Sequence, residues 1–334
     1  MLGKIIVYVV LMSVLFLTAC SSFQKTDRPS PLAGKIVCID PGHGGTAATD
    51  QYRVGQAGER EEWIDLRVGL ILQDLLLQRG ARVVMTRAED TAVGLKERAD
   101  LAVNNHADVF VSIHHNATAD RSVNFPIIYY HGKASENQAS VELGRCLALR
   151  VREAMHDRRT PVSLCSDHTI FPESGTGVLR NSYGIPGVIG EASFFSNPEE
   201  ETRLKDENHN RCEAEAYVRA LEDFFLKSHP PIKAKSSIGQ IPPFRPLVEA
   251  DRMKDEARRW HQDYQDAMAW YGTQNPRDYQ IAYDLFTQSA KSFPDSYVAR
   301  DCHFHRALLL DKLGKAHEAG PEYLRAREYY VPTP

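Results

Sequence analysis

Apolar residues in this chain gather in short branched runs separated by longer stretches of helical spacing. Residues 36–39 and 109–113 have the length and composition of strands buried on both faces, and residues 82–86, 127–130 and 187–190 add three more strand-like runs. Between and after them, residues 62–78, 95–105, 138–155 and 213–225 repeat their apolar positions with a helical period, the first stretch closing at Gly80. Strand and helix in alternation predict an α/β fold with a mostly parallel central sheet and helices on both faces. Residues 160–186 have no clear period and receive no assignment. Beyond residue 248 the period is helical, which predicts a small all-α domain after the sheet.

The expected division follows from these shifts. Residues 1–19 form a signal segment, 20–33 a polar tether, 34–228 the α/β body, 229–248 a linker and 249–334 the helical domain. Pro230, Pro231, Pro242, Pro243 and Pro246 disfavour helix and central strand in the linker. In the helical part, Ala282, Phe286, Ser289 and Pro294 are answered by Ala319, Tyr323, Ala326 and Pro332, with Ala307, Leu310 and Gly314 between. These positions resemble tetratricopeptide repeats, although the roughly two units visible fall short of the three such arrays use, and a generic helical hairpin fits equally well. Tetratricopeptide-like units imply a protein partner or activator, here a cell-wall or division protein.

The first residues change the picture of where the body works. Lys4 precedes an apolar run over residues 5–17, too short to span a bilayer comfortably, and Leu17-Thr18-Ala19-Cys20 follows. This resembles the lipobox of bacterial lipoproteins. The resemblance implies a mature chain beginning at an acylated Cys20 and a membrane anchored through that lipid. Ser21, rather than Asp, implies the outer membrane with the body facing the periplasm. A plain signal peptide or a single-span anchor is the competing reading.

Composition excludes little else. Among 334 residues, 43% are hydrophobic and 25% charged, as in ordinary globular chains, and 40 basic residues against 44 acidic ones form no basic block, so nucleic acid is not an expected partner. Besides Cys20 there are five cysteines (Cys38, Cys146, Cys165, Cys212 and Cys302), an odd number without the close pairs of a zinc ribbon.

The chemistry concentrates at predicted strand ends. Asp40-Pro41-Gly42-His43-Gly44-Gly45 follows the first strand, Ser112-Ile113-His114-His115-Asn116 ends another, and Glu61 stands at the start of the first long helix. In an open α/β sheet these share one edge, where such folds place ligands. Two imidazoles and a carboxylate leave one zinc position open for water, the arrangement of catalytic rather than structural zinc. Water on zinc becomes a nucleophile near neutral pH, and amide hydrolysis is its natural use. Glu191, in Val188-Ile189-Gly190-Glu191-Ala192, is delivered by a further strand as general base and then acid.

Together with Thr86-Arg87, Asp90, Leu95, Arg98, Ala107-Asp108-Val109-Phe110-Val111 and Phe195-Ser196-Asn197, these motifs resemble the zinc-dependent N-acetylmuramoyl-L-alanine amidases of type 3 over roughly residues 35–225. The resemblance implies one Zn2+ per chain on His43, Glu61 and His114, with Glu191 catalytic. It implies peptidoglycan as substrate, cut between the lactyl group of N-acetylmuramic acid and L-alanine, in wall remodelling or cell separation. Its spacing after Gly58 selects Glu61 over Glu59 and Glu62, and its Ser-Ile-His turn selects His114 over His115. Asn116 and Arg87 are candidates to touch substrate or to support the ligands, against the plainer roles of loop-forming and ion-paired residues. The segment between His43 and Glu61 is a few residues longer than in the family, and residues 137–186 leave open whether a blocking helix crosses the zinc. Two other functions fit: a metallopeptidase or other amidohydrolase on the same site, and a catalytically silent scaffold lipoprotein.

Overall fold

The computed structural model describes residues 29–50, 52–236 and 241–333. The signal segment, Cys20 and most of the expected tether lie outside the described residues. Among the described residues six strands form one sheet: β1 (Ile36–Pro41), β2 (Arg82–Met85), β3 (Val109–Asn116), β4 (Ile127–Tyr130), β5 (Ser163–Ser166) and β6 (Gly187–Phe194), in the order β2-β1-β3-β6-β4-β5. The first four strands of that order run parallel. β4 is antiparallel to β6, and β5 pairs parallel with β4.

Both faces of the sheet are apolar, which is why its strands read as unbroken runs. In β3, Val109, Val111 and Ile113 face one hydrophobic cluster and Phe110 the other; in β4, Ile128 and Tyr130 oppose Ile127 and Tyr129. The first face is covered by α1 (Glu61–Gln78), α3 (Gln138–Met155) and α6 (Glu207–Phe225). The second is covered by α2 (Leu95–Asn104), α4 (Gly177–Asn181) and the C-terminal helices. A short α5 (Pro198–Leu204) follows β6, with Asn197 accepting hydrogen bonds from the Glu199 and Glu200 amides.

The unassigned stretch 160–186 contains β5 and α4. β5 is four residues of Ser-Leu-Cys-Ser, too short and polar to show a period, and it is completed from far away. Ser166 N–H donates to the Tyr329 carbonyl (2.8 Å) and Val331 N–H to that of Leu164 (2.9 Å), so the chain's last described residues line the edge of the sheet.

The C-terminal part comprises α7 (Glu249–Arg252), α8 (Trp260–Gly272), α9 (Tyr279–Ser292), α10 (Ala299–Lys312) and α11 (Ala316–Glu328). From α8 onward each packs on the next, burying the repeat-like positions Ala282, Phe286, Ser289, Ala307, Leu310, Ala319 and Ala326. The stack also rests on the sheet: Phe125 lies 5.8 Å from Phe293 and 6.5 Å from Trp260 between ring centroids, and the Tyr129 hydroxyl donates to Asp295. Residues of the proline-rich segment follow the body closely, Lys233 Nζ donating to the Ser135 carbonyl (3.0 Å) and Arg325 reaching the Pro242 carbonyl. Among the described residues no helix is long and apolar enough to cross a membrane.

Candidate metal centre

Parallel pairing sets Asp40 beside Ser112 and Pro41 beside Ile113, and His114 beside Glu191, so β1, β3 and β6 end in a row. Asp40 is buried and fully used, accepting from the Thr86 hydroxyl (2.6 Å), Ser112 hydroxyl (2.7 Å) and Arg98 guanidinium (2.8 Å). Arg98 also donates to the carbonyls of Pro41 and His43. Arg87 donates to those of Pro41 (2.9 Å), Gly42 (2.7 Å) and Glu62 (2.6 Å). Two buried guanidiniums thus hold the loop after β1 by its main chain, and His43 takes the left-handed φ of 54° that few non-glycine residues adopt.

That loop presents His43 to His114, their rings edge to face at 4.7 Å between centroids. Glu61, the first residue of α1, places Oε1 3.0 Å from both His43 Nε2 and His114 Nδ1. Its neighbours are committed elsewhere: Glu59 pairs with Arg67 (2.7 Å), and Glu62 is buried against Arg60 (2.9 Å). His115 is also committed, its Nδ1 2.9 Å from Asp65 and its Nε2 3.0 Å from Glu213 on α6. Of the rivals weighed from the sequence, then, Glu61 and His114 are the pair that meets His43.

The electrostatics are those of a crowded acid cluster. Burial opposes the charge on Glu61, but His43 and His114 hold it below the usual carboxylate range. Burial likewise works against a charged His43, and the Glu61 carboxylate more than offsets it, leaving His43 raised. Glu191 is pushed well up by burial and by the negative charges of Glu61 and Asp65, and its Oε2 is buried without a hydrogen-bond partner. Asp65 is pushed up to about 6, chiefly by burial, and its Oδ2 is also unpartnered. Nitrogen and oxygen donors of His43, Glu61, Asp65 and His114 all lie within 4.8 Å of one another. Imidazole and carboxylate donors suit zinc, and the orphaned buried oxygens call for a cation or a proton.

Arg87 is buried behind the loop, and the Asn116 side chain accepts from the Ala117 amide (2.8 Å) while its carbonyl accepts from Phe195 (3.0 Å). Both therefore shape the strand ends that carry the cluster. Sequence reading passed over Asp65, Arg98 and Glu213 as site residues. Asp65 had a local signal, since it follows Glu61 by one helical turn. Glu213 lies 98 residues from the histidine it contacts and had none.

The sequence profile of a family described as N-acetylmuramoyl-L-alanine amidase matches residues 37–223. A germination-specific N-acetylmuramoyl-L-alanine amidase of Bacillus subtilis is 30% identical over 223 residues, covering 60% of this chain and 84% of the relative. A probable cell wall amidase, LytH of Staphylococcus aureus, is 28% identical over 206 residues, with 60% of this chain and 62% of the relative covered, so this chain spans less than two thirds of that relative. The solved N-acetylmuramoyl-L-alanine amidase AmiC2 of Nostoc punctiforme superposes with a TM-score of 0.50 at 26% identity, over 58% of this chain and 99% of the other. An N-acetylmuramoyl-L-alanine amidase of Clostridium difficile 630 gives 0.50 at 29%, over 59% and 99%.

Proposed function

The chain belongs to the N-acetylmuramoyl-L-alanine amidase family of cell-wall hydrolases, and from that premise we propose that it uses one zinc ion, held by His43, Glu61 and His114, to cut the amide between N-acetylmuramic acid and L-alanine. The observation that carries this reading is the shared Glu61 oxygen, 3.0 Å from two imidazole nitrogens. Zinc bound there supplies Lewis-acid polarisation of the scissile carbonyl and a lowered pKa for water.

The chain's own residues do the rest. Glu191 stands across from His114 on β6 with a free Oε2. From that place Glu191 removes a proton from the attacking water and returns it to the departing L-alanine nitrogen. Arg87 and Arg98 fix the main chain that carries His43, and Glu61 sets the orientation of both rings.

Anchoring through a lipid on Cys20 at the outer membrane, facing the periplasm, belongs to the same proposal, as do a role in wall remodelling or cell separation and a protein partner at the C-terminal helices. The test is mass spectrometry of the soluble products from purified peptidoglycan. Stem peptides with a free L-alanine amine support the reading; peptides cut between amino acids mean a metallopeptidase on the same site.

A further inference from the structure

Beneath the zinc-directed residues lies a chain of buried groups that the proposed reaction does not use. Asp65 follows Glu61 by four residues on α1, so the two side chains share a helix face. It is fully buried, and one of its oxygens lies within 4.8 Å of the donor atoms of His43, Glu61 and His114. Its Oδ1 faces His115 Nδ1 at 2.9 Å, while Oδ2 has no partner. His115 is held from its other side by Glu213, 3.0 Å from Nε2.

We propose that Asp65 is a fourth protein donor to the metal held by His43, Glu61 and His114, and that His115 and Glu213 are the residues that position it. The inference rests on the zinc reading above. A buried carboxylate oxygen without a donor is costly, and a cation among these side chains satisfies it. A second group of metal-capable side chains, His131, Asp167 and His168, makes the contrast. There Asp167 already accepts from the Thr176 amide (2.7 Å), the Thr176 hydroxyl (2.8 Å) and His131 (2.8 Å), and Lys235 Nζ lies 2.7 Å from His131 Nε2. That group is satisfied as it stands; the one around Asp65 is not.

Charge supports the same assignment. The carboxylates of Glu61 and Asp65 together carry the charge that a divalent ion held between two imidazoles would meet. Four protein donors would still leave room for water on a zinc ion, whose coordination can expand to five. Glu213 then couples α6 to the metal through His115 and Asp65.

The test uses the full chain in detergent, stripped with a chelator and reloaded. Zinc affinity is measured by competition with a chromophoric chelator, and Co2+ replaces zinc to report the donor set by its visible spectrum. Asp65→Asn is expected to weaken zinc binding at least tenfold and to change the Co2+ spectrum. Glu213→Gln is expected to weaken binding while leaving the spectrum's form, as loss of a supporting partner does. Asp65→Cys provides an independent arm: with residue 65 in the coordination sphere, the Co2+ form gains a thiolate-to-metal charge-transfer band. An unchanged Co2+ spectrum in Asp65→Asn, with no such band in Asp65→Cys, overturns the proposal whatever happens to affinity. If the wild-type chain binds zinc no better than His114→Ala, the zinc reading itself has failed, which is a different result.

Discussion

Gly42 lies against the His114 ring so closely that a Cβ built on it would overlap the ring's Cε1, Nε2 and Nδ1. Glycine is required there because backbone and imidazole must approach to bring β1 and β3 donors together. Gly42→Ala is therefore expected to push His114 out of place and lower zinc affinity tenfold or more, with a smaller effect on the melting temperature. Metal content after dialysis against a weak chelator checks this, and full zinc retention would contradict it. At this scale the sequence was most legible where a residue stands in a local motif: His43 sits in a tight turn, Glu61 at a helix start, and His114 and Glu191 towards strand ends, and the structure brings them to one edge. Asp40 stands in the first of those motifs, yet its use as the acceptor for Thr86, Ser112 and Arg98 depends on pairing between distant strands. The choice among Glu59, Glu61 and Glu62 depends likewise on Arg67 and Arg60 drawing two of them away.

α5 is a short helix that periodicity could not reveal; Leu204 packs into the core, Glu201 accepts from the Ala57 and Glu59 amides, and Glu200 ties it to α6. Glu200 is buried, with Oε1 3.1 Å from His209 on α6 and Oε2 accepting from Asn124 (2.9 Å). Burial raises its pKa, but the His209 hydrogen bond and the Arg203 charge win, and the carboxyl is held down to about 2 from 4.5. A folded-state pKa below the unfolded one stabilises the fold above pH 4.5, and that contribution fades as pH falls towards 2. Its size is about 3 kcal/mol at most, at about 1.4 kcal/mol per pKa unit. Glu200→Gln is expected to reduce unfolding free energy by about 2 kcal/mol at pH 7, with a narrowing gap to wild type below pH 4.5. Urea melts at pH 7 and pH 3 measure it, and an equal gap at both would count against the ion pair. β5 was hidden for a related reason: four residues hold no period, and much of what fixes them comes from Tyr329 and Val331.

Across the whole molecule, the C-terminal helices cover the second face of the sheet. Helical period announced them, and the prolines marked where the body stops, but a period gives the apolar face of a helix without saying what it packs on. Here that face meets Phe125, Tyr129 and Phe194, and the chain's end completes β5. Ending the chain after residue 228 is thus expected to expose this surface and give a product that aggregates or binds a hydrophobic dye. A soluble fragment with a cooperative melt and unchanged zinc affinity would mean that the helices are a separable module. The central claim, a zinc amidase with Glu191 as its proton carrier, meets its most direct test in one comparison of product masses and bound zinc between wild type and Glu191→Gln. Stem peptides with free L-alanine amines are expected from the wild type, and none from a Glu191→Gln chain that still holds one zinc; equal release by both would mean that Glu191 carries no proton in the reaction.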